Sequence, residues 1–342
     1  MANLQLMSSS VKKYLQIILF ATAGILMFWL AYRGQDVSSL ISALDGAHWE
    51  YVLAAGVANV LSHYFRALRW DLLLSPLGYI TKKSNLFLSV MVMYFANLAI
   101  PRSGEVVRCG IVNRYENVTF ATALGTVAAE RVADLVALAI LTLWVLGVQA
   151  AFVGTILENN PEISANVGNI FGSLPILIIV FAFVIAFFVI LCLLIVKKNI
   201  FGIGDKIKNL WSNFKAGLTA ILKLENKFLF LFYTISIWFI YFFTLYLVFL
   251  AFDFTSHLSF FSAMTLSVLG TFGVVVPSPG GIGTWHFIAI EILYIWGINR
   301  NPDGGAYALV AHGVQDLTFI VVGVVSLWLL PFINKNGKHS LS

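Results

Sequence analysis

The sequence predicts an all-α integral membrane protein, a polytopic helical bundle forming a single domain over residues 1–342. Three observations carry this expectation. Apolar residues make up 60% of the chain and charged residues 11%, whereas soluble domains carry about 25% charged residues. The apolar residues fall in long blocks such as 15–31, 173–196 and 228–252, and about 20 apolar residues are what a helix needs to cross a hydrocarbon core of about 30 Å. The cations sit between the blocks rather than within them, the pattern of a topology signal. This composition excludes a soluble enzyme, and it removes nucleic acid as the reason for a net charge of +5.

The elements follow in chain order. Lys12 and Lys13 precede block 15–32, which continues into Tyr32-Arg-Gly34 without a small-residue cleavage site. It therefore reads as a retained first helix rather than a signal peptide, with the N-terminus cytoplasmic. Block 50–68 returns to Arg66, Arg69, Lys82 and Lys83, and block 86–100 leads to Arg102, Arg108 and Arg114, so both flanks of the latter read as inside. A short segment that ends at Pro101 with like flanks is expected to be a re-entrant hairpin. Block 118–154 reaches Glu158 and Glu162 outside, and 173–196 returns to a lysine-rich loop ending at Lys227. Block 228–252 emerges at Asp253. The pair 259–276 and 283–298, broken at Pro277-Ser-Pro-Gly-Gly281, begins and ends outside, and block 306–333 brings Lys335 and Lys338 back. The scheme places 18 of the 21 Lys and Arg inside, with Arg33 and Arg300 outside and Arg131 within the membrane. The C-terminus is thus expected in the cytoplasm, and the protein in the cell (inner) membrane. The alternative is plain crossings throughout, with the prolines as kinks. Non-helical backbone at membrane depth requires burial in protein or a polar cavity, so two broken hairpins imply such a cavity.

The two breaks, at Pro101 and Pro277, lie 176 positions apart. Downstream, Ala129-Glu-Arg-Val-Ala-Asp-Leu135 and Ala311-His-Gly-Val-Gln-Asp-Leu317 match at Ala, Val, Asp and Leu. Each half, about 11–155 and 172–334, reads as three crossings plus one Pro-Gly-broken hairpin. An odd number of crossings per half makes the repeats inverted, the arrangement of many transporters. Chance likeness of two Pro-Gly breaks is the alternative.

Charged residues inside apolar blocks are costly and usually face a bundle interior or cavity. Glu130, Arg131 and Asp134 are such residues, with Glu130 and Asp134 on one helix face. Arg131 either joins a self-neutralising cluster or binds an anion, the acids then positioning it or carrying protons. Arg102, Glu105 and Arg108 follow the first break on one face, either as interface anchors or as phosphate ligands, for which the guanidinium fork is suited. Gly280-Gly-Ile-Gly283 is either a tight turn or an anion-binding backbone at a helix N-terminus. Glu291 and Asp316 are further intramembrane acids, and His63, His286 and His312 are either titrating groups or satisfied interior histidines. Cys109 and Cys192 read as packing residues, and no spacing suggests a metal, a cofactor or a catalytic nucleophile. Residues 202–227 carry an apolar stripe through Ile203, Ile207, Leu210, Trp211, Phe214, Leu218 and Ile221. They form either an amphipathic helix on the cytoplasmic lipid surface or a helix packed on the bundle.

The combination Arg66-Ala-Leu-Arg-Trp70, Pro101-Arg-Ser-Gly-Glu-Val-Val-Arg108, Glu130-Arg-Val-Ala-Asp134 and Pro277-Ser-Pro-Gly-Gly-Ile-Gly283 resembles the flippase-like transmembrane family of lysylphosphatidylglycerol synthase. That family includes the membrane half of the bacterial multiple peptide resistance factor, and the resemblance spans nearly the whole chain. It implies a bundle that handles phospholipids or polyprenyl-linked lipids and moves them between leaflets. By motif it implies substrate-binding roles for Arg102, Gly104, Glu105, Arg108, Glu130, Arg131, Asp134, Pro277, Gly280, Gly281 and Gly283. His286 stands where the family pattern leads one to expect an acidic residue, and with Asp316 it completes the candidate site. No cytosolic aminoacyl-transferase domain is expected, hence no lysyl transfer. The expected function is lipid translocation with an anionic headgroup in a polar cavity. The rivals are a membrane-embedded transferase using Glu130 or Asp134 as base, and a non-catalytic subunit presenting lipid to a separate lipid-modifying enzyme.

Overall fold

The computed structural model describes Trp29 and residues 37–148, 203–273 and 281–334, and every regular element among them is helical. The expected first block 15–32, block 173–196 and the break residues Pro277 and Gly280 lie outside the described residues, as do the chain ends. Ten α-helices are described: α1 (Val37–Asp45), α2 (Trp49–Leu74), α3 (Lys83–Ala99), α4 (Gly104–Glu116), α5 (Phe120–Val148), α6 (Ile203–Leu218), α7 (Lys227–Leu250), α8 (Phe260–Gly273), α9 (Thr284–Ile295) and α10 (Gly305–Ile333). The stretches Lys227–Leu250 and Arg300–Ile333 are long and apolar enough to cross a bilayer. Large apolar side chains such as Leu53, Leu135, Leu143, Phe228 and Trp328 stand exposed around the bundle. An apolar belt of this kind on a soluble monomer would be an aggregation hazard. On a membrane protein it is the lipid-facing surface.

The first break forms as the sequence suggests. Ile100, preceding Pro101, is pushed to extended backbone (φ −134°, ψ 110°), which ends α3 at Ala99. Arg102 then takes a left-handed conformation with φ 63°, and Ser103 Oγ donates to the Ile100 carbonyl at 2.8 Å. The Gly104 N–H donates to Asn97 Oδ1 at 2.7 Å, so a side chain of α3 caps the start of α4. A Cβ on Gly104 would lie 2.2 Å from the Met93 carbonyl oxygen, which is why this position admits no side chain. Helices α3 and α4 thus form a tight antiparallel hairpin. At its base Glu116 accepts from the Lys82 N–H at 3.0 Å and from Asn85. Asn85 in turn exchanges hydrogen bonds of 2.9 Å with Asn334, tying the hairpin base to the end of α10.

The order long helix, two short helices, long helix occurs twice, as α2 to α5 and as α7 to α10. The corresponding helices α2 and α7 pack closely and run antiparallel. The His48 N–H before α2 donates to the Ala251 carbonyl after α7 at 2.8 Å, while Arg69 near the end of α2 reaches Thr234 near the start of α7 at 3.2 Å. The first hairpin packs against α10, and α8 of the second pair packs against α5. One buried apolar cluster joins α7, α9 and α10 through Phe249, Leu293 and Tyr307. Another joins α2, α3 and α5 through Trp70, Leu86 and Val127.

The amphipathic segment forms helix α6 followed by a 3-10 turn, Thr219–Lys223. It docks on α5 through two glycines. A Cβ on Gly125 would lie 2.2 Å from the Phe214 carbonyl oxygen, and one on Gly217 would lie 2.3 Å from that of Thr122. Small residues that let helix backbones touch are the usual device of helix packing in membranes. Leu210 and Trp211 of the apolar stripe remain exposed beside this contact.

Candidate functional site: a polar cavity between two helix breaks

Four arginines converge on the acidic face of α5. Arg66 Nη1 donates to Glu130 Oε1 and to Asp134 Oδ2, each at 2.9 Å. Arg69 Nη2 donates to Glu130 Oε1 at 3.0 Å and lies 2.7 Å from Asp134 Oδ1. Arg108 Nη2 donates to the other Glu130 oxygen, while its guanidinium lies 3.9 Å from the centre of the Trp70 ring. Arg131 is more exposed and makes longer contacts, 3.6 Å to Asp134 and 3.7 Å to Glu105. The side chains of Glu130, Arg69 and Arg108 are fully buried. Removing such charges from water costs several kcal/mol each unless they are paired and hydrogen-bonded, and here helices α2, α4 and α5 pair them.

Beside this cluster lies a cavity of about 360 Å³. Helix α2 contributes Asn59 and His63, α3 contributes Tyr94, Asn97 and Leu98, and the first break with α4 contributes Pro101, Arg102 and Glu105. From the other half come Tyr241, Thr244 and Leu245 of α7, Ser267 and Thr271 of α8, Gly281, and Trp285 of α9. Helix α10 closes the space with Ala311, His312, Gln315 and Phe319. Pro101 and Arg102 of the first break and Gly281, next to the second, therefore line one space. Tyr241 joins cavity and cluster, its hydroxyl accepting from Arg66 Nη2 at 3.0 Å.

Several buried polar atoms on this wall have no hydrogen-bond partner among the described residues, namely Asn59 Oδ1 and both ring nitrogens of His63. The His63 ring lies 4.2 Å from that of Tyr94 and 5.3 Å from that of Phe319. An unmet buried donor or acceptor costs about 1–3 kcal/mol, so these atoms mark where a polar guest gains most. On α10 His312 Nδ1 lies 3.1 Å from Asp316 Oδ2, and the His286 and His312 rings are 4.7 Å apart. His286 Nδ1 accepts from the Gly283 N–H at 3.3 Å. Among the described residues no three His, Cys, Asp or Glu side chains are placed to hold a metal ion.

The residues singled out from sequence thus separate into groups. Arg102, Glu105 and Gly281 line the cavity. Arg108, Glu130, Arg131 and Asp134 form the ion cluster beside it, and Gly104 packs the hairpin. Gly283, with φ 89°, starts α9, and His286 and Asp316 flank His312. Glu291 is not an interior acid, for it pairs with Arg300 at 2.7 and 2.8 Å where both side chains are partly exposed. Arg66, Arg69 and Arg108, which the charge pattern counts among the cytoplasmic cations, are all buried on Glu130 and Asp134. Sequence reasoning gives no site role to Arg66 and Arg69, which it uses only as topology and motif residues, nor to Asn59, Tyr94, Asn97, Tyr241 and Gln315. A signal exists in α2, where Asn59, His63, Arg66 and Trp70 recur at helical spacing and share one face of the helix.

The sequence profile described as "Lysylphosphatidylglycerol synthase TM region" matches residues 15–323 of this chain. The chain is 30% identical over 134 residues to the UPF0104 membrane protein MJ1595 of Methanocaldococcus jannaschii, covering 38% of this chain and 39% of that protein. It is 34% identical over 105 residues to the glycosyltransferase AglD of Haloferax volcanii, covering 30% of this chain and 17% of that protein. The UPF0104 membrane protein MJ1078 of Methanocaldococcus jannaschii is 27% identical over 243 residues, covering 70% of this chain and 94% of the relative. The matches to MJ1595 and AglD thus span less than half of each relative's length. No solved structure matches this chain.

Proposed function

We propose that this chain, which belongs to the lysylphosphatidylglycerol synthase transmembrane family, takes a lipid headgroup into its central cavity and moves the lipid between leaflets. The observation that carries the reading is a cavity of about 360 Å³ that residues next to both helix breaks line together with amide, hydroxyl and imidazole groups. Arg102 offers its guanidinium to an anionic headgroup at the first break, and Gly281 brings the backbone next to the second break to the same cavity wall. The acyl chains stay in lipid along the exposed apolar belt. Glu130 and Asp134 serve as anchors that hold Arg66, Arg69 and Arg108 in place, rather than as proton carriers. The antiparallel run of α2 and α7 within a repeated order of elements supports two inverted repeats with re-entrant hairpins. In that topology both termini are cytoplasmic, and the meeting of the Lys82 hairpin base with the α10 end supports a shared side.

A second reading draws on the likeness to a protein named as a glycosyltransferase, and has the chain act as a transferase on a lipid-linked substrate. Against it, neither Glu130 nor Asp134 lines the cavity, and both carboxylates are occupied by guanidinium donors. One experiment separates the two. The purified full chain is reconstituted into phosphatidylcholine vesicles containing a fluorescent anionic phospholipid, and a membrane-impermeant reductant quenches the outer leaflet. Transport predicts that the protected signal is lost faster than in protein-free vesicles, with lipid masses unchanged by mass spectrometry. A rate equal to that of protein-free vesicles across several lipid classes contradicts it, and a covalently altered lipid favours the transferase.

A further inference from the structure

The cavity wall has a chemistry that an anion alone does not call for. Its charged groups, Arg102 and Glu105, sit together at the first break. Away from them the polar lining is made of amides, hydroxyls and imidazoles. Asn59 Oδ1 and both His63 nitrogens, buried on this wall, lack hydrogen-bond partners among the described residues. The Asn97 Oδ1 is taken by the Gly104 N–H, which leaves the Asn97 amide N–H groups as donors. Neutral donors and acceptors interspersed in this way suit hydroxyl groups, each of which both donates and accepts. Trp285 adds an aromatic ring to the wall, a surface that packs well against the C–H faces of a cyclic polyol. Arg102 is the guanidinium of the lining described, so the guest's negative charge is assigned to the first break.

We infer that the headgroup accommodated here is an uncharged, hydroxyl-rich ring of about hexose size linked to a single phosphate, a sugar or cyclic polyol phospholipid. The inference rests on the lipid-binding reading above and deepens it. The phosphate lies at Arg102, and the ring lies among Asn59, His63, Asn97, Gln315 and Trp285. Phosphatidylinositol and phosphatidic acid are suitable probes, because both carry a phosphate and only the first carries the polyol ring; the monoester of phosphatidic acid bears the greater negative charge, so charge alone favours phosphatidic acid.

The test is equilibrium binding of each lipid to the detergent-purified full chain, read as bound fractions in native mass spectrometry. Phosphatidylinositol is expected to bind about tenfold tighter than phosphatidic acid, the scale of a few hydrogen bonds that otherwise leave buried groups unmet. Asn59→Leu and Gln315→Leu are each expected to bring that ratio toward one. Arg102→Gln is expected to weaken both lipids together. Equal affinity of the wild-type chain for the two lipids overturns the polyol inference and leaves the anionic-lipid reading standing. Binding of neither lipid overturns both. A circular-dichroism melt of each variant shows that it is folded, and if the leucine variants do not fold, Asn59→Asp and Gln315→Glu make the same test of the ratio.

Discussion

Glu130 is the residue on which three helices are joined. It accepts from Arg66 and Arg69 on α2 and from Arg108 on α4, with no solvent exposure of its own. Glu130→Gln removes the countercharge and leaves buried guanidiniums short of a partner, a change that typically costs about 3–5 kcal/mol. Thermal unfolding in detergent should fall accordingly, and an unchanged melting temperature would show that the cluster holds nothing together. Arg102 is the converse case. A non-glycine residue at φ 63° bears a strain of about 1–2 kcal/mol, and strained positions concentrate where function requires a particular side chain. Arg102→Gly should therefore leave stability equal or raised by about 1 kcal/mol while weakening anionic-lipid binding. Loss of stability without loss of binding would make Arg102 a structural residue. The acids of this site were legible in the sequence because charge inside an apolar block is conspicuous. Arg66 and Arg69 were not, because they fall near the end of an apolar block where arginine also serves as an ordinary membrane anchor. Only tertiary packing against α5 distinguishes the two roles.

Among the elements, the proline-bearing first break was the most readable. Pro101 dictates an extended Ile100, and Gly104 dictates a close approach, so a hairpin follows from covalent geometry. The amphipathic helix was less readable, since an apolar stripe does not reveal whether it meets lipid or protein. The decisive residues are Gly125 and Gly217, whose absent side chains let α5 and α6 touch backbone to backbone. Gly217→Leu should push the helices apart, and faster proteolysis in the segment 203–223 in detergent, with slower cleavage in the wild type, is the expected result. Equal cleavage of the two would place the docking energy elsewhere. Gly270 plays the same part in the second pair of short helices, where a Cβ would lie 2.7 Å from Trp285 Nε1. No periodicity announces such a contact, because the information sits in the partner helix.

At the scale of the molecule, the order of elements repeats, α2 and α7 run antiparallel, and helices from α2 to α4 and from α7 to α10 line one cavity. The membrane class and the expectation of an internal polar space follow from composition and from two Pro-Gly interruptions. The identity of the cavity lining does not, because neutral residues such as Asn59, Asn97, Thr244 and Gln315 are common in loops and interiors alike. The central claim is that a lipid headgroup passes through this space. It is tested most directly by filling the cavity in reconstituted vesicles. Ser267→Trp puts an indole into the lining, while Val325→Trp puts one on the exposed apolar face of α10. Transport of a fluorescent anionic phospholipid should fall to the protein-free rate in Ser267→Trp and persist in Val325→Trp, with both variants folded by circular dichroism. Wild-type transport undiminished by Ser267→Trp would contradict the account.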